Sequence, residues 1–280
     1  MARAGGLPDD GVRGRRQAPA EQRVLYDGVR GEGFPGGNNG LRGCEHIPAL
    51  QQDRKAAMAA TREIELECWV CGEQFVREEP RAYAVTGRGS DLCPQPVGFN
   101  PLPLLLHTCP TCGFTADGRG FHRSQHDEEV RNWVLAGGLT RVADEMPDAD
   151  CARYEMAALC EARRIQPSAL QLAEYYLAAS WLAQLDEALD VVDDYQEKAA
   201  QYLEQALLVG ELEDKERAVM TYLVGELRRR LGEFEAALKL FDEAAVQYAE
   251  HGGPQWMVRA LNQQARMARE RSSEAASLAQ

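Results

Sequence analysis

The chain has 280 residues, 45% of them hydrophobic, and a formal net charge of −13, which allows one or two domains with a proper core. Its acidity disfavours a general nucleic-acid binder or a protein of anionic membrane surfaces, since phosphate binding draws on clustered lysine and arginine. Met1 to Gln17 lacks the apolar stretch of a secretory signal, and no run approaches the ~18 apolar residues of a membrane span. A cytoplasmic location is therefore expected, where eight cysteines read as metal or redox chemistry rather than disulfides.

Residues 1–57 hold eleven of the 25 glycines, several arginines and no apolar periodicity, a composition that buries too little surface to offset chain entropy. We expect disorder there, and a biological start at Met58. The piece Gly36-Gly37-Asn38-Asn39-Gly40 lacks the Lys-Ser/Thr ending of a phosphate loop, and Cys44 and His46 are read as incidental.

From Thr61 the residues alternate, with Ile64, Leu66 and Cys68 on one side and Glu63, Glu65 and Glu67 on the other, the period of a half-buried strand. A second strand is expected at Arg81 to Val85, followed by a polar turn at Gly87 to Asp91. A third is expected through Leu104, Leu105 and Leu106 into Thr108. Two cysteine clips punctuate this region, Cys68-Trp69-Val70-Cys71-Gly72 and Cys109-Pro110-Thr111-Cys112-Gly113. Two thiolates three positions apart can grip one ion from a single tight turn, so Cys68, Cys71, Cys109 and Cys112 would complete a closed, structural Zn2+ site. Residues 72–108, 37 in all, separate the clips; closing that loop costs about 3 kcal/mol, against about 10 kcal/mol or more from a structural zinc. The layout is that of a zinc ribbon, in which the metal replaces a core.

Two other readings of the clips compete with the zinc ribbon. Cys109-x2-Cys112-x9-His122-x3-His126 imitates a Cys2His2 finger, but its central spacing is short of the usual ~12 and it orphans Cys68 and Cys71. A redox dithiol wants its first thiol at a helix N-terminus, whereas here strands precede each clip and a glycine follows.

Beyond about Asp127 the pattern is helical. Asp148-Ala149-Asp150 is placed to cap a helix through Tyr154, Ala158 and Leu159. Ser168 with Gln171 forms a capping-box signature for a helix through Leu172, Tyr176 and Leu182. The run Gly225, Gly232, Phe234, Ala237, Phe241 and Ala244 matches the small and aromatic positions of a tetratricopeptide helix pair, except that Arg228 stands where an aromatic is usual and Ala249 where a proline is. A looser repeat, with Leu177, Ala178 and Trp181 against Ala199, Leu203 and Ala206, needs about nine extra residues around Leu185 to Asp194. A last helix spans Trp256 to Arg271, and the tail beyond is expected to fray.

The run Cys68-x-x-Cys71-Gly72, Asp91-Leu-Cys93-Pro94, Gly98-Phe-Asn-Pro-Leu102, Cys109-Pro-x-Cys112-Gly-Phe114, Thr221-Tyr-Leu-Val-Gly-Glu-Leu227 and Arg229-Arg-Leu-Gly-Glu-Phe234 resembles the bacterial family known as domain of unknown function 2225, from about residue 62 to 270. The resemblance implies a paired-clip metal module fused to tetratricopeptide-like helices, with Cys68, Cys71, Cys109 and Cys112 as ligands, and implies no reaction. Trp69 replaces the proline common in the first clip. Cys93 falls on a family cysteine, leaving a fifth thiol near the site as a substitute ligand, a reactive thiol or a buried apolar cysteine.

Cys151 and Cys160, nine positions apart on a helix, face opposite ways and read as core. The acidic cluster Asp186-Glu187, Asp190 and Asp193-Asp194 reads as a solvated face, and the helical aromatics as core. His107 has no nameable acid or serine partner. The expected fold class is α+β: a leader over 1–57, a zinc-ribbon-like module over 58–126, an all-α tetratricopeptide-like array over 127–272 and a tail over 273–280. The expected function is a non-enzymatic zinc-binding adaptor that docks a protein partner on its helices. A thiol-based redox sensor or enzyme using Cys93 or a clip is the alternative. Nucleic-acid binding through Arg77, Arg81, Arg88, Arg119 and Arg123 ranks last, because acids are interleaved with them.

Overall fold

The computed structural model describes residues 61–121, 127–146 and 149–278. The leader, Met58, Cys44, His46, His122, Arg123 and His126 lie outside the described residues. Short antiparallel strand pairs followed by helices make the fold α+β.

Strand β1 (Thr61–Glu67) pairs with β2 (Gln74–Pro80), Thr61 opposite Pro80 and Glu67 opposite Gln74. The alternation in β1 holds: Leu66 is buried while Glu63, Glu65 and Glu67 are exposed. The partner strand lies at Gln74–Pro80 and not at the expected Arg81–Val85, because the first clip is itself the hairpin turn. Its period is hidden by Arg77, which takes an inward position in line with Phe75, lays its guanidinium 4.9 Å from the Phe75 ring centre and donates to the Thr108 carbonyl at 3.1 Å.

Strands β3 (Val85–Arg88) and β4 (Pro94–Pro96) form a second pair, and β5 (His107–Thr108) and β6 (Thr115–Ala116) a third. The expected third strand is shortened to its last two residues. Leu102–Leu104 instead make a 3-10 turn, for which Pro101 and Pro103 have the right fixed φ. Its carbonyls accept from Tyr154 at 2.8 Å and Arg153 at 2.6 Å.

The helices are α1 (Gly118–Phe121), α2 (Glu128–Leu135), α3 (Thr140–Glu145), α4 (Asp150–Ala162), α5 (Ala169–Leu185), α6 (Leu189–Val209), α7 (Asp214–Arg230), α8 (Phe234–His251) and α9 (Trp256–Arg269). From α4 onward each packs on the next. None is long and apolar enough to cross a membrane.

Helix α4 does not start with the expected aspartate cap. Ala149 holds the N-cap position without a side-chain bond, and Asp150 is the first helical residue, where its charge faces the positive end of the helix dipole. At α5, Ser168 accepts from the Gln171 amide as expected, but the reciprocal half of the box is missing, since the Gln171 side chain donates to Glu174. Glu161 of α4 supplies that half by accepting from the Ser168 amide at 3.1 Å, and Glu211, from the turn before α7, accepts from the amides of Ala169 and Leu170 and from the Ser168 hydroxyl. Glu211→Ala is therefore expected to cost more than Ser168→Ala in chemical denaturation, about 2 kcal/mol against about 1.

The stretched first hairpin holds no long insertion. Only Asp186–Ala188 separate α5 from α6, and the added length falls in α6, 21 residues against 18 in α8, while α5 and α7 have 17 each. In the second hairpin a Cβ on Gly225 would meet the Phe241 ring at 2.8 Å and Leu240 Cβ at 3.2 Å, while Ala237 and Ala244 are fully buried. Gly225→Ala is expected to cost about 1–3 kcal/mol by overpacking, read as a lower denaturation midpoint at unchanged slope. Arg228, the departure from the repeat pattern, reaches from α7 to α6, pairing with Glu197 at 2.7 Å and Glu204 at 2.9 Å. An ionic bridge thus replaces an aromatic contact between the two hairpins.

One core joins Leu66, Val70 and Phe114 of the strand region to Val130, Val142, Ala152 and Met156 of the helices. The tail, expected to fray beyond Arg271, is held along the strand pair β3–β4. The amide of Ser90 donates to Ala276 at 2.7 Å, the amide of Leu278 donates to Arg88 at 3.2 Å, and Gly89 pairs with Ser277.

Beneath that tail lies a buried charge network. Arg229 and Glu226, both fully buried, form a two-pronged pair at 2.9 and 2.7 Å. Arg230 bonds to Glu226 at 3.0 Å and to Asp91 at 2.8 Å. Ser90 donates to Glu226 at 2.6 Å, and Tyr222 to the Ser90 carbonyl at 2.8 Å. Two arginines and two carboxylates balance, which makes burial of the set tolerable.

Candidate metal centre

The clips occupy the turns of two hairpins with equivalent backbones, each residue of the second numbered 41 above its counterpart in the first. Cys68 N donates to Glu73 O at 2.8 Å and Gly72 N to Cys68 O at 2.7 Å; Cys109 N donates to Phe114 O at 2.9 Å and Gly113 N to Cys109 O at 3.0 Å. These bonds fold each chain segment around its own two sulfurs. Gly72 and Gly113 sit at φ 82° and 76°, a region in which a side chain would be strained.

The two hairpins face each other, and the four sulfur atoms all lie within 4.8 Å of one another. Cys68 Sγ is 3.6 Å from Cys112 Sγ, and Cys71 Sγ is 3.6 Å from Cys109 Sγ. Those separations are far too long for disulfides, and the cysteines are free. They fit the edges, about 3.8 Å, of a tetrahedron built on metal–sulfur bonds of ~2.3 Å. The residues expected as ligands are thus brought together by the fold, and they could hold a metal ion.

The electrostatics suit a cation. The bond from Cys112 holds the Cys68 thiol down at about 5. That same bond, with burial, pushes Cys112 up, while burial raises Cys109 to about 11. So many buried thiols cannot ionise together beside one another, whereas a divalent ion at their centre would hold all four as thiolates.

The surroundings fix the site from three sides. Arg131 of α2 donates to the Val70 carbonyl inside the first clip at 3.1 Å, and Arg77 ties β2 to β5 through Thr108. Trp69 packs edge-on against Phe114 with ring centres 5.1 Å apart, and Phe114 in turn against Phe121 at 5.2 Å. The tryptophan in place of proline therefore joins the two turns by an aromatic contact. Nothing in the clip spacing announces Arg131 or Trp69; a lone arginine on an amphipathic helix reads as solvated.

Other candidate residues fall elsewhere. Cys93 is not a fifth thiol at the cluster: it follows Leu92 in the β3–β4 turn, takes a bond from its own amide to Asp91 at 3.2 Å, and its sulfur contacts the Pro94 carbonyl at 3.8 Å. Cys151 and Cys160 are buried on α4 as expected, and burial raises them to about 11 and about 12. Both are expected to resist alkylation at pH 8 in the native protein, which counting labelled cysteines by mass spectrometry checks. His107 is buried in β5, and desolvation lowers its pKa. Asp190 and Asp194 line an open cleft with Arg141, Glu155 and Lys198, and Asp194 pairs with Lys198 at 2.6 Å. Of the arginines weighed for nucleic acid, Arg77 and Arg88 are tied to backbone carbonyls.

The family model described as "Uncharacterized protein conserved in bacteria (DUF2225)" matches residues 62–271. No curated protein and no solved structure matches the chain.

Proposed function

From the premise that the chain belongs to this DUF2225 family of bacterial proteins, we propose that it is a non-enzymatic zinc protein of the cytoplasm, in which a structural metal braces a tetratricopeptide-like array that docks a protein partner. The observation that carries this reading is the closed donor set. Four cysteine sulfurs within 4.8 Å of one another fill a tetrahedral shell and leave no position for substrate or water, the mark of structural rather than catalytic zinc. Support for the adaptor half comes from the helical region. Its second hairpin closes through small residues at Gly225, Ala237 and Ala244, and stacked helix pairs of this kind build extended binding surfaces.

The test is elemental analysis of the purified chain, with thiol counting before and after chelation, followed by partner capture on intact and metal-stripped protein. One zinc per chain, lost together with four protected thiols and with partner binding, is the expected result. Iron in place of zinc would change the metal assignment, since four thiolates suit both. Freely titrating clips in metal-replete protein would overturn the reading.

A further inference from the structure

The second strand pair has two outer edges, and the chain treats them differently. On β4, Pro94 and Pro96 occupy two of three positions, and a proline has no amide to offer a further strand. At the end of β3 and the two residues after it, Arg88, Gly89 and Ser90, the chain does offer such groups, and residues 276–278 lie along them. The contact is an antiparallel strand addition: Ser90 N to Ala276 O at 2.7 Å and Leu278 N to Arg88 O at 3.2 Å flank the Gly89–Ser277 pair. Upstream, Arg229 donates to the carbonyls of Ser272 and Glu274, the latter at 2.9 Å.

Every one of these bonds uses the main chain of the tail. Its side chains alternate, with Ala276 and Leu278 turned partly inward and Ser273, Glu274, Ala275 and Ser277 exposed. A surface that reads backbone, with a small residue and an aliphatic residue two places on, is chemically a peptide-strand site. The segment that fills it is held by main-chain bonds, and its one large apolar side chain, Leu278, is only half-buried. We propose that the β3 edge, with Arg229 beside it, is a docking site for an extended peptide of this small-x-aliphatic pattern, held in this chain by its own segment Ser272–Leu278 as a releasable strap. Release uncovers the polar network at Arg229, where water can replace the carbonyls of Ser272 and Glu274. The site then accepts the same pattern from outside, and the tethered copy competes at a high effective concentration.

Hydrogen exchange on the full chain tests the release. The amides of Ala276 and Leu278 are expected to exchange at least a hundredfold faster than those of Tyr222–Leu227 in α7; equal rates would mean that the strap opens only by global unfolding and would overturn the proposal. Binding tests the site. In the full chain, Ala276→Pro with Leu278→Pro removes the Ala276 amide that donates to Ser90 Oγ at 3.4 Å and the Leu278 amide that donates to the Arg88 carbonyl, and a labelled peptide of residues 272–278 is expected to bind this variant at least tenfold more tightly than it binds wild type. Ser277→Ala, which touches neither bond, is expected to behave as wild type. Freely exchanging tail amides in the double variant with no gain in peptide binding would also sink the idea. Should that variant not fold, the exchange rates of the wild type decide.

Discussion

Replacing Cys109 with serine is expected to abolish metal binding at the proposed four-cysteine site and, with it, ordered structure from β1 through α4. Cys109 is 1% exposed, and it sits in the same core cluster as Val130, Val142 and Met156. Structural zinc contributes about 10 kcal/mol or more, while whole domains are stable by only about 5–15 kcal/mol, so a three-cysteine site leaves little margin. The shared core spreads the damage. Near-ultraviolet dichroism and hydrogen exchange should show loss of protection in β1, β2, β5, β6 and α2–α4. Helices α7–α9, whose packing partners lie elsewhere, should retain theirs. A variant that keeps one metal per chain and an unchanged melting temperature would rule out the four-cysteine site.

The second large effect is expected at Glu226, far from the metal. Glu226→Gln keeps the shape of the side chain but removes the charge that faces both Arg229 and Arg230. Breaking one partner out of a buried ionic set costs about 3–5 kcal/mol, because an uncompensated charge stays behind. The double change Glu226→Leu with Arg229→Met removes both members of the fully buried pair and leaves Arg230 with Asp91. It should recover most of the loss in urea denaturation. A shift of the midpoint by Glu226→Gln alone of less than the equivalent of about 1 kcal/mol would show that the buried charges are not coupled in the way their distances imply.

The clips were legible because their chemistry is local: two cysteines three apart with glycine following specify a metal turn whatever surrounds it. The second helical hairpin was legible for a similar reason, since Gly225, Ala237, Phe241 and Ala244 recur at helical spacing. What escaped depends on partners distant in sequence. Gln74–Pro80 hides its strand period because Arg77 points inward, and its compensation, the Thr108 carbonyl, is 31 residues away. Arg228-Arg229-Arg230 at the end of α7 reads as solvated charge complementing a helix dipole, yet Arg229 is fully buried against groups contributed by the tail. The tail itself was missed because its fastening is main-chain hydrogen bonding, which side-chain composition does not encode.

The 41-residue correspondence between the two clips bears on how the metal is loaded. Each turn presents the same pair of sulfurs in the same backbone frame, so neither is the privileged point of entry. An ion captured by either pair becomes a tethered bait for the other. The second capture is then intramolecular, across the 37 intervening residues of the sequence, at an effective concentration of about a millimolar. Loading of such a site would reach one product from either turn, and an ion held by one pair of sulfurs alone would be held weakly.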